Sequence, residues 1–388
     1  MSITAPKGFR AAGIAAGVKS SGRRDLALVV NDGPRTDAAA VFTSSRCPAN
    51  PVIWWKGAIT SGTARAVILN SGGANCFTGP FGFETTRMTA QAVAEHVNVS
   101  SSDVLVCSTG LIGTGGEAFR SAVLSGVPKV VEQLGNTASH ASGAAEAILT
   151  TDSRIKVAVR RSPAGWTIGA MAKGAGMLAP GLATMLVVIT TDAVLTPDIL
   201  DRELRAATRV TLNRVDSDGC MSTNDTVALL SSGASGIEAG PDEFGELLTA
   251  CCADLAKQLQ EDAEGSSYDI TIDVTHAATE QDAEDVARAI SRSKLFKAAI
   301  YGKDPHWGRV LAAAGTTTAT FDPAELDVSL NGVMVCRQGT PHERPELVNL
   351  ESREVHVELC LHAGTARATI LTNDLTHEYV HENSAYSS

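Results

Sequence analysis

The sequence predicts an α/β protein with mixed strands, and three observations carry that expectation. Short runs rich in Val, Ile and Leu recur along the whole chain. Segments with apolar residues at helical spacing alternate with some of them. Glycine is abundant, with 35 residues against 9 Phe, 4 Trp and 4 Tyr. That mix favours tight turns and close approach of small-residue layers over a core built from rings.

Taken in order, Leu26–Val30, Ala38–Phe42, Val52–Trp55, Ala66–Leu69 and Val104–Cys107 read as strands. Ile155–Val159, Met185–Thr190, Thr226–Leu230 and Ile270–Val274 follow, then Val328–Leu330, Val355–Cys360 and Ala366–Leu371. Phe83–His96, Ala118–Leu124, Thr196–Ala207, Pro241–Asp262 and Gln281–Ser293 read as helices. The last carries Ala283, Val286, Ala287 and Ile290 on one face. Thr196-Pro197 supplies a threonine cap with proline in the first turn. The 388 residues suggest two compact units at roughly 100–200 residues each. No internal repeat and no linker rich in Pro or Ser marks a boundary between them.

The formal charge is −11, with no basic run, which argues against a nucleic-acid partner. No stretch approaches the roughly 18–20 apolar residues of a membrane span. The opening MSITAPKGFRAAGIAAGVK lacks large apolar residues for a signal-peptide core, so a cytoplasmic location is expected. Eight cysteines, at 47, 76, 107, 220, 251, 252, 336 and 360, form no C-x-x-C pair. A zinc knuckle or thioredoxin-type site is therefore not signalled, and buried free thiols are expected.

One segment stands apart, running from Met171 to Asp192. A Gly/Pro-rich stretch, Gly174 to Gly181, leads into Ala183-Thr184, and a buried-type strand begins at once. A Thr hydroxyl placed there can attack the carbonyl of the preceding residue. An N→O acyl shift gives an ester, which water cleaves. The freed N-terminal Thr then carries a hydroxyl nucleophile and an α-amine of pKa roughly 7.7–8.0. That amine can act as general base near neutral pH without a histidine. A strand-initial threonine with no chemistry has the same appearance, and Ala-Thr recurs at Ala207, Ala278 and Ala319.

The surrounding blocks decide between these readings. They include Pro6-Lys-Gly-Phe-Arg-Ala-Ala-Gly13, Asn70-Ser-Gly-Gly-Ala-Asn75, Cys107-Ser-Thr-Gly-Leu-Ile-Gly113 and Thr150-Thr-Asp152. Ala172-Lys-Gly-Ala-Gly-Met-Leu178, Ser222-Thr-Asn-Asp-Thr226, Asp262-Ala-Glu-Gly265, Asp304-Pro-His-Trp-Gly-Arg309 and Glu382-Asn-Ser-Ala-Tyr-Ser-Ser388 complete the set. Over nearly its whole length the chain resembles the glutamate N-acetyltransferase (ornithine acetyltransferase) family of arginine biosynthesis. The resemblance implies a layered mixed-sheet sandwich like that of the self-processing β-aminopeptidases. It implies cleavage at Ala183–Thr184 into an α chain, 1–183, and a β chain, 184–388. These would form one intertwined catalytic unit and assemble as an α2β2 heterotetramer.

By the same resemblance Thr184 takes the acetyl group of N-acetylornithine and passes it to glutamate. Thr109 and Gly110 correspond to the oxyanion hole. Thr151, Lys173, Glu264, Asn383 and Ser388 correspond to substrate contacts, with Thr150 the alternative to Thr151. Lys173 would hold a substrate carboxylate or shift nearby pKa values, and Glu264 would receive a substrate ammonium. No cofactor and no metal is implied. Family members divide into those restricted to N-acetylornithine and those that also take acetyl-CoA, and no residue here decides between them. An N-terminal-nucleophile amidase or aminopeptidase is the alternative reading; a non-catalytic small-molecule binder is a further one.

Other signals are weaker. His377-Glu378-Tyr379-Val380-His381 spells H-E-x-x-H, which binds zinc only from a helix; here it follows a strand-like run and lacks a third ligand. Gly174-x-Gly176 lacks the further glycine of a dinucleotide site, and no G-x-S-x-G elbow is present. His306-Trp307 reads as the start of a helix.

Overall fold

The computed structural model describes residues 2–179 and 185–385. Of the candidate site residues named above, Ala183, Thr184 and Ser388 lie outside the described residues, as does Gly181 at the end of the Gly/Pro-rich stretch.

The first part of the chain runs β1 (Phe9–Ile14), β2 (Leu26–Asn31), β3 (Ala38–Phe42), α1 (Asn50–Ala58), β4 (Ala66–Ser71), α2 (Gly79–Val97), β5 (Val104–Thr109), α3 (Glu117–Glu132) and α4 (Ala138–Ala147). It continues through β6 (Lys156–Arg161), β7 (Thr167–Lys173), β8 (Leu186–Thr191), α5 (Pro197–Val210), β9 (Thr226–Ser231) and α6 (Pro241–Glu261). The remainder is β10 (Asp269–Ala277), α7 (Glu280–Ser291), α8 (Lys294–Tyr301), α9 (Gly308–Ala314), β11 (Asp327–Leu330), β12 (Val333–Arg337), β13 (Thr340–Pro341), β14 (Glu354–Cys360), β15 (Ala366–Asn373) and α10 (His377–Ala385).

The strands form three sheets: β1-β2-β4-β5, β3-β9-β8-β7-β6 and β13-β12-β11-β14-β10-β15. The first two stack face to face. Alternation along β8 shows how: Leu186 and Val188 enter the core shared with Val67, Leu69 and Leu105 of the first sheet, whereas Val187 and Ile189 face Leu204 of α5 and Phe244 of α6. The outer face of the first sheet is covered by α2 and α3 through Ala90, Val93, Val123 and Val127. The result is a helix–sheet–sheet–helix sandwich with both faces of each sheet covered, which is why its strands read as apolar runs. The third sheet packs against α7, α8 and α9 through Ile272, Val286, Ile290 and Phe296.

The layered α/β expectation holds, with local corrections. Val52–Trp55 is helical, not a strand. Pro51 sits in the first turn of α1, and Val52 and Trp55, three apart, are buried while Ile53 is exposed. A strand would have put Val52 and Trp55 on opposite faces. The Trp55 indole N–H donates to Val106 O at 2.7 Å, which fixes α1 on β5. His377–His381 also lies on a helix. Thr376 starts α10 by accepting from the Tyr379 N–H at 2.9 Å, and both histidines are exposed. Among the described residues no three His, Cys, Asp or Glu side chains are arranged to hold a metal. Thr196 occupies the cap position of α5, but its hydroxyl makes no capping bond. Cys47 and Cys220 are exposed, Cys360 is half-buried, and the other five thiols are buried; all are free. Trp307 immediately precedes α9, as expected. Among the described residues no helix is long and apolar enough to cross a membrane.

Candidate active site

Strand ends from both stacked sheets converge on one place. β5 ends at Thr109, and the next residue, Gly110, turns the chain at φ +121°. A Cβ at Gly110 would lie 2.7 Å from Gly72 C and Gly73 N, so backbone approaches there as closely as it can. The turn is held from several sides. Asn70 Nδ2 donates to Gly73 O at 3.0 Å, and Ser108 Oγ donates to Asn70 Oδ1 at 2.7 Å. Asn224 Nδ2 donates to both Ala74 O, at 2.7 Å, and Ser108 O, at 2.8 Å. Asn224 thus ties the second half of the chain to the turn.

From the facing sheet, β7 ends at Lys173, which is 2% exposed. Its Nζ donates to Thr109 Oγ1 at 3.2 Å and lies 4.0 Å from Asp152 Oδ2. An ammonium can only donate. Thr109 Oγ1 therefore accepts from Lys173, and its own proton is free to point elsewhere. Burial pushes the Lys173 amine below the usual lysine range, and Asp152 opposes that shift. Asp152 is itself buried, which favours its neutral form. Lys173 and Lys156 win, holding its carboxyl down to about 2.

A second group gathers on Glu264, in the turn after α6. Thr151 Oγ1 donates to Glu264 Oε1 at 2.7 Å, and Asn383 Nδ2, from α10, donates to Oε2 at 3.0 Å. The Glu264 N–H donates to Ala175 O at 3.1 Å. A Cβ on Gly176 would fall within 2.4 Å of the carboxylate, so that glycine makes room for Glu264. Thr151 makes this contact. The backbone N–H of Thr150 instead bonds Asp152 Oδ2 at 3.0 Å.

The N–H of Met185, just before β8, donates to Asp225 Oδ1 at 3.1 Å. Asp225 is buried, and burial pushes its carboxyl well above the usual range. On the other side of residues 180–184, Ser217 N–H donates to Leu178 O at 2.5 Å. One loop, Ser217 to Asp225, thus holds the chain on both sides of residues 180–184. A cleft of about 260 Å³ opens over Thr151 and Glu264, lined by Arg23, Thr150, Asp152 and Glu382. A larger one, of about 830 Å³, includes Gly110, Gly72, Leu111 and Lys19, and shares Arg23, Thr150 and Asp152 with the first. The Gly110 turn and the Glu264 cluster therefore open on adjoining clefts.

Six of the nominated residues thus come together: Thr109, Gly110, Lys173, Thr151, Glu264 and Asn383. Asp152, Lys156, Asn224 and Asp225 went unnominated, although three of them stand in quoted blocks. Their signal in the sequence was polar residues flanking apolar strand runs; apart from the Asp152–Lys156 pair, the partners that place them lie far away along the chain.

The sequence profile of the ArgJ family matches residues 10–388. The arginine biosynthesis bifunctional protein ArgJ of Streptomyces coelicolor is 57% identical over 388 residues, covering all of both chains. Among solved structures, ornithine acetyltransferase complexed with ornithine from Mycobacterium tuberculosis is 47% identical over 48% of this chain and 96% of its own, with a TM-score of 0.45. A Burkholderia β-aminopeptidase is 14% identical over 68% of this chain and 87% of its own, with a TM-score of 0.44.

Proposed function

The chain belongs to the ArgJ family and is an acyltransferase of arginine biosynthesis, and from that premise we propose how its residues divide the work. The bond Ala183–Thr184 is cut, giving chains 1–183 and 184–388. The Thr184 hydroxyl attacks the acetyl carbonyl of N-acetylornithine while the Thr184 α-amine takes its proton. The tetrahedral oxyanion is received by the Thr109 hydroxyl and the Gly110 backbone. Collapse breaks the C–N bond, the proton passes to the departing amine, and ornithine leaves. The amine of glutamate then attacks the acetyl ester, the acyl C–O bond to Thr184 breaks, the amine's proton returns by way of the α-amine to the Thr184 oxygen, and N-acetylglutamate leaves.

The observation that carries this reading is the Lys173–Thr109 bond. A buried cation donating to Thr109 Oγ1 turns that hydroxyl into a donor towards the site, which is what a developing oxyanion needs. Glu264, which accepts from Thr151 and Asn383, receives the substrate's ammonium in this reading, and Ser388 is a further substrate contact. The relatives are named bifunctional, and the second donor we propose is acetyl-CoA. The working form is a cytoplasmic α2β2 heterotetramer of the two fragments.

The test is acetyl exchange between N-acetylornithine and glutamate, run with and without acetyl-CoA, together with denaturing gels. Wild type should show two fragments and exchange; Thr184→Ala should stay in one piece and be inactive. Release of free acetate with no transfer to glutamate would point to an amidase instead. An uncut, inactive wild type would overturn the mechanism.

A further inference from the structure

Lys156, at the start of β6, has a side chain wholly out of solvent. Its Nζ lies 2.7 Å from Asp152 Oδ1 and 2.5 Å from Asp262 Oδ2. These two carboxylates belong to different loops, and each loop carries a proposed substrate contact: Thr151 beside Asp152, and Glu264 two residues beyond Asp262. The bridge is reinforced on both sides. Asp152 Oδ1 also accepts from the Gly174 N–H at 2.6 Å, next to Lys173. Asp262 accepts from the backbone N–H of Ser153 at 3.1 Å and from the Ser153 hydroxyl.

Burying such charges is costly, and apolar residues of similar size would often serve stability as well or better. A role beyond stability is therefore the economical explanation. The charges balance: Lys156 and Lys173 against Asp152 and Asp262. The groups acting on Lys173 come from several segments: Asp152, Lys156, Asp225 and Glu264, with Lys19 also within its influence.

We propose that Lys156, Asp152 and Asp262 form a buried positioning clamp that locks the Thr151 loop to the Glu264 loop and presents Lys173 to Thr109. This rests on the reading of Lys173 and Glu264 as active-site groups. Asp152 is the counter-ion that keeps Lys173 charged in a buried place. Lys156 keeps Asp152 from being spent wholly on Lys173 and holds the two loops at a fixed separation. None of the three needs to touch substrate.

The proposal predicts opposite electrostatic effects from neighbouring substitutions. Asp152→Asn removes the charge that favours protonated Lys173, so the basic limb of the kcat/KM–pH profile should move to lower pH. Lys156→Met removes a repelling cation and leaves Asp152 to Lys173 alone, so that limb should move to higher pH. Both should lower kcat/KM at neutral pH, by of the order of 100-fold where the loops shift by an ångström. Lys156→Arg, which restores the charge, should return the limb towards wild type. Asp262→Asn should raise KM for the amino-acid substrates more than it lowers kcat.

A merely structural clamp would reduce the amount of folded enzyme without moving the limbs in opposite senses. Profiles are therefore to be measured on the folded fraction of the processed enzyme, with Lys173→Met as a control. If Lys173→Met is inactive but the Asp152 and Lys156 variants keep unshifted profiles, the clamp is wrong and the reading of Lys173 survives. If Lys173→Met keeps full activity, the reading of Lys173 fails and takes the clamp with it. Should Asp152→Asn not fold, the upward shift in Lys156→Met and its reversal in Lys156→Arg still decide the matter.

Discussion

At Gly110 the backbone has φ +121° and no room for a Cβ, because Gly72 and Gly73 stand 2.7 Å away. Gly110→Ala should therefore displace the turn that carries the proposed oxyanion donors. We expect kcat to fall by about 10²–10³-fold, with KM changed far less, in steady-state assays. Thr109 shows how much of this site was readable at the residue scale. Its place at a strand end before glycine was visible in the sequence, as was the Gly-rich run before Thr184. That Thr109 would accept from a lysine 64 positions away was not, because nothing local to either residue encodes the meeting. For one of its two partners the same reason hides Lys156. Its partners are four and 106 positions away, and alone it reads as the polar first residue of a strand.

Elements were legible in proportion to their patterning. β5, β8 and β9 carry Val, Ile and Leu on both faces and were found to within a residue or two. β7, Thr-Ile-Gly-Ala-Met-Ala-Lys, is wholly buried yet was overlooked, since small residues and a terminal lysine dilute its apolar signal. β1, Phe-Arg-Ala-Ala-Gly-Ile, escaped similarly. Its glycine explains that composition: a Cβ on Gly13 would sit 1.9 Å from Gly143 O in α4. The strand is small-residue-rich because a helix lies directly on it. Gly13→Ala should cost about 1–3 kcal/mol of stability through overpacking, measured by urea unfolding, with kcat per folded molecule little altered. The error at Val52–Trp55 has the opposite origin. β-branched and aromatic residues favour strands on average, but Pro51 and one-sided burial against β5 overrode that preference.

At the scale of the whole molecule, acid stability draws on buried carboxylates such as Asp152. The Asp152 carboxyl is held down to about 2, below its value of roughly 3.9 in an unfolded chain. A depressed carboxyl stabilises the fold above the unfolded value, and that contribution fades as pH falls from about 4 towards 2. Acid unfolding of Asp152→Asn should therefore depend less steeply on pH over that window than wild type does, as read by circular dichroism at matched temperatures.

The strand order of the middle sheet bears on the proposed processing. β3, β7 and β6 come from before residue 183, whereas β9 and β8 come from after residue 184. The order β3-β9-β8-β7-β6 places two strands of the later segment between strands of the earlier one, so β3·β9 and β8·β7 are both contacts across the cut. Neither segment can complete this sheet alone. Once the peptide bond is gone, unfolding of the proposed α2β2 assembly releases four molecules where its uncut counterpart releases two. The thermal midpoint of the processed enzyme should then rise more steeply with protein concentration than that of uncut Thr184→Ala. Reaction order in unfolding would thus record whether the chain has been cut.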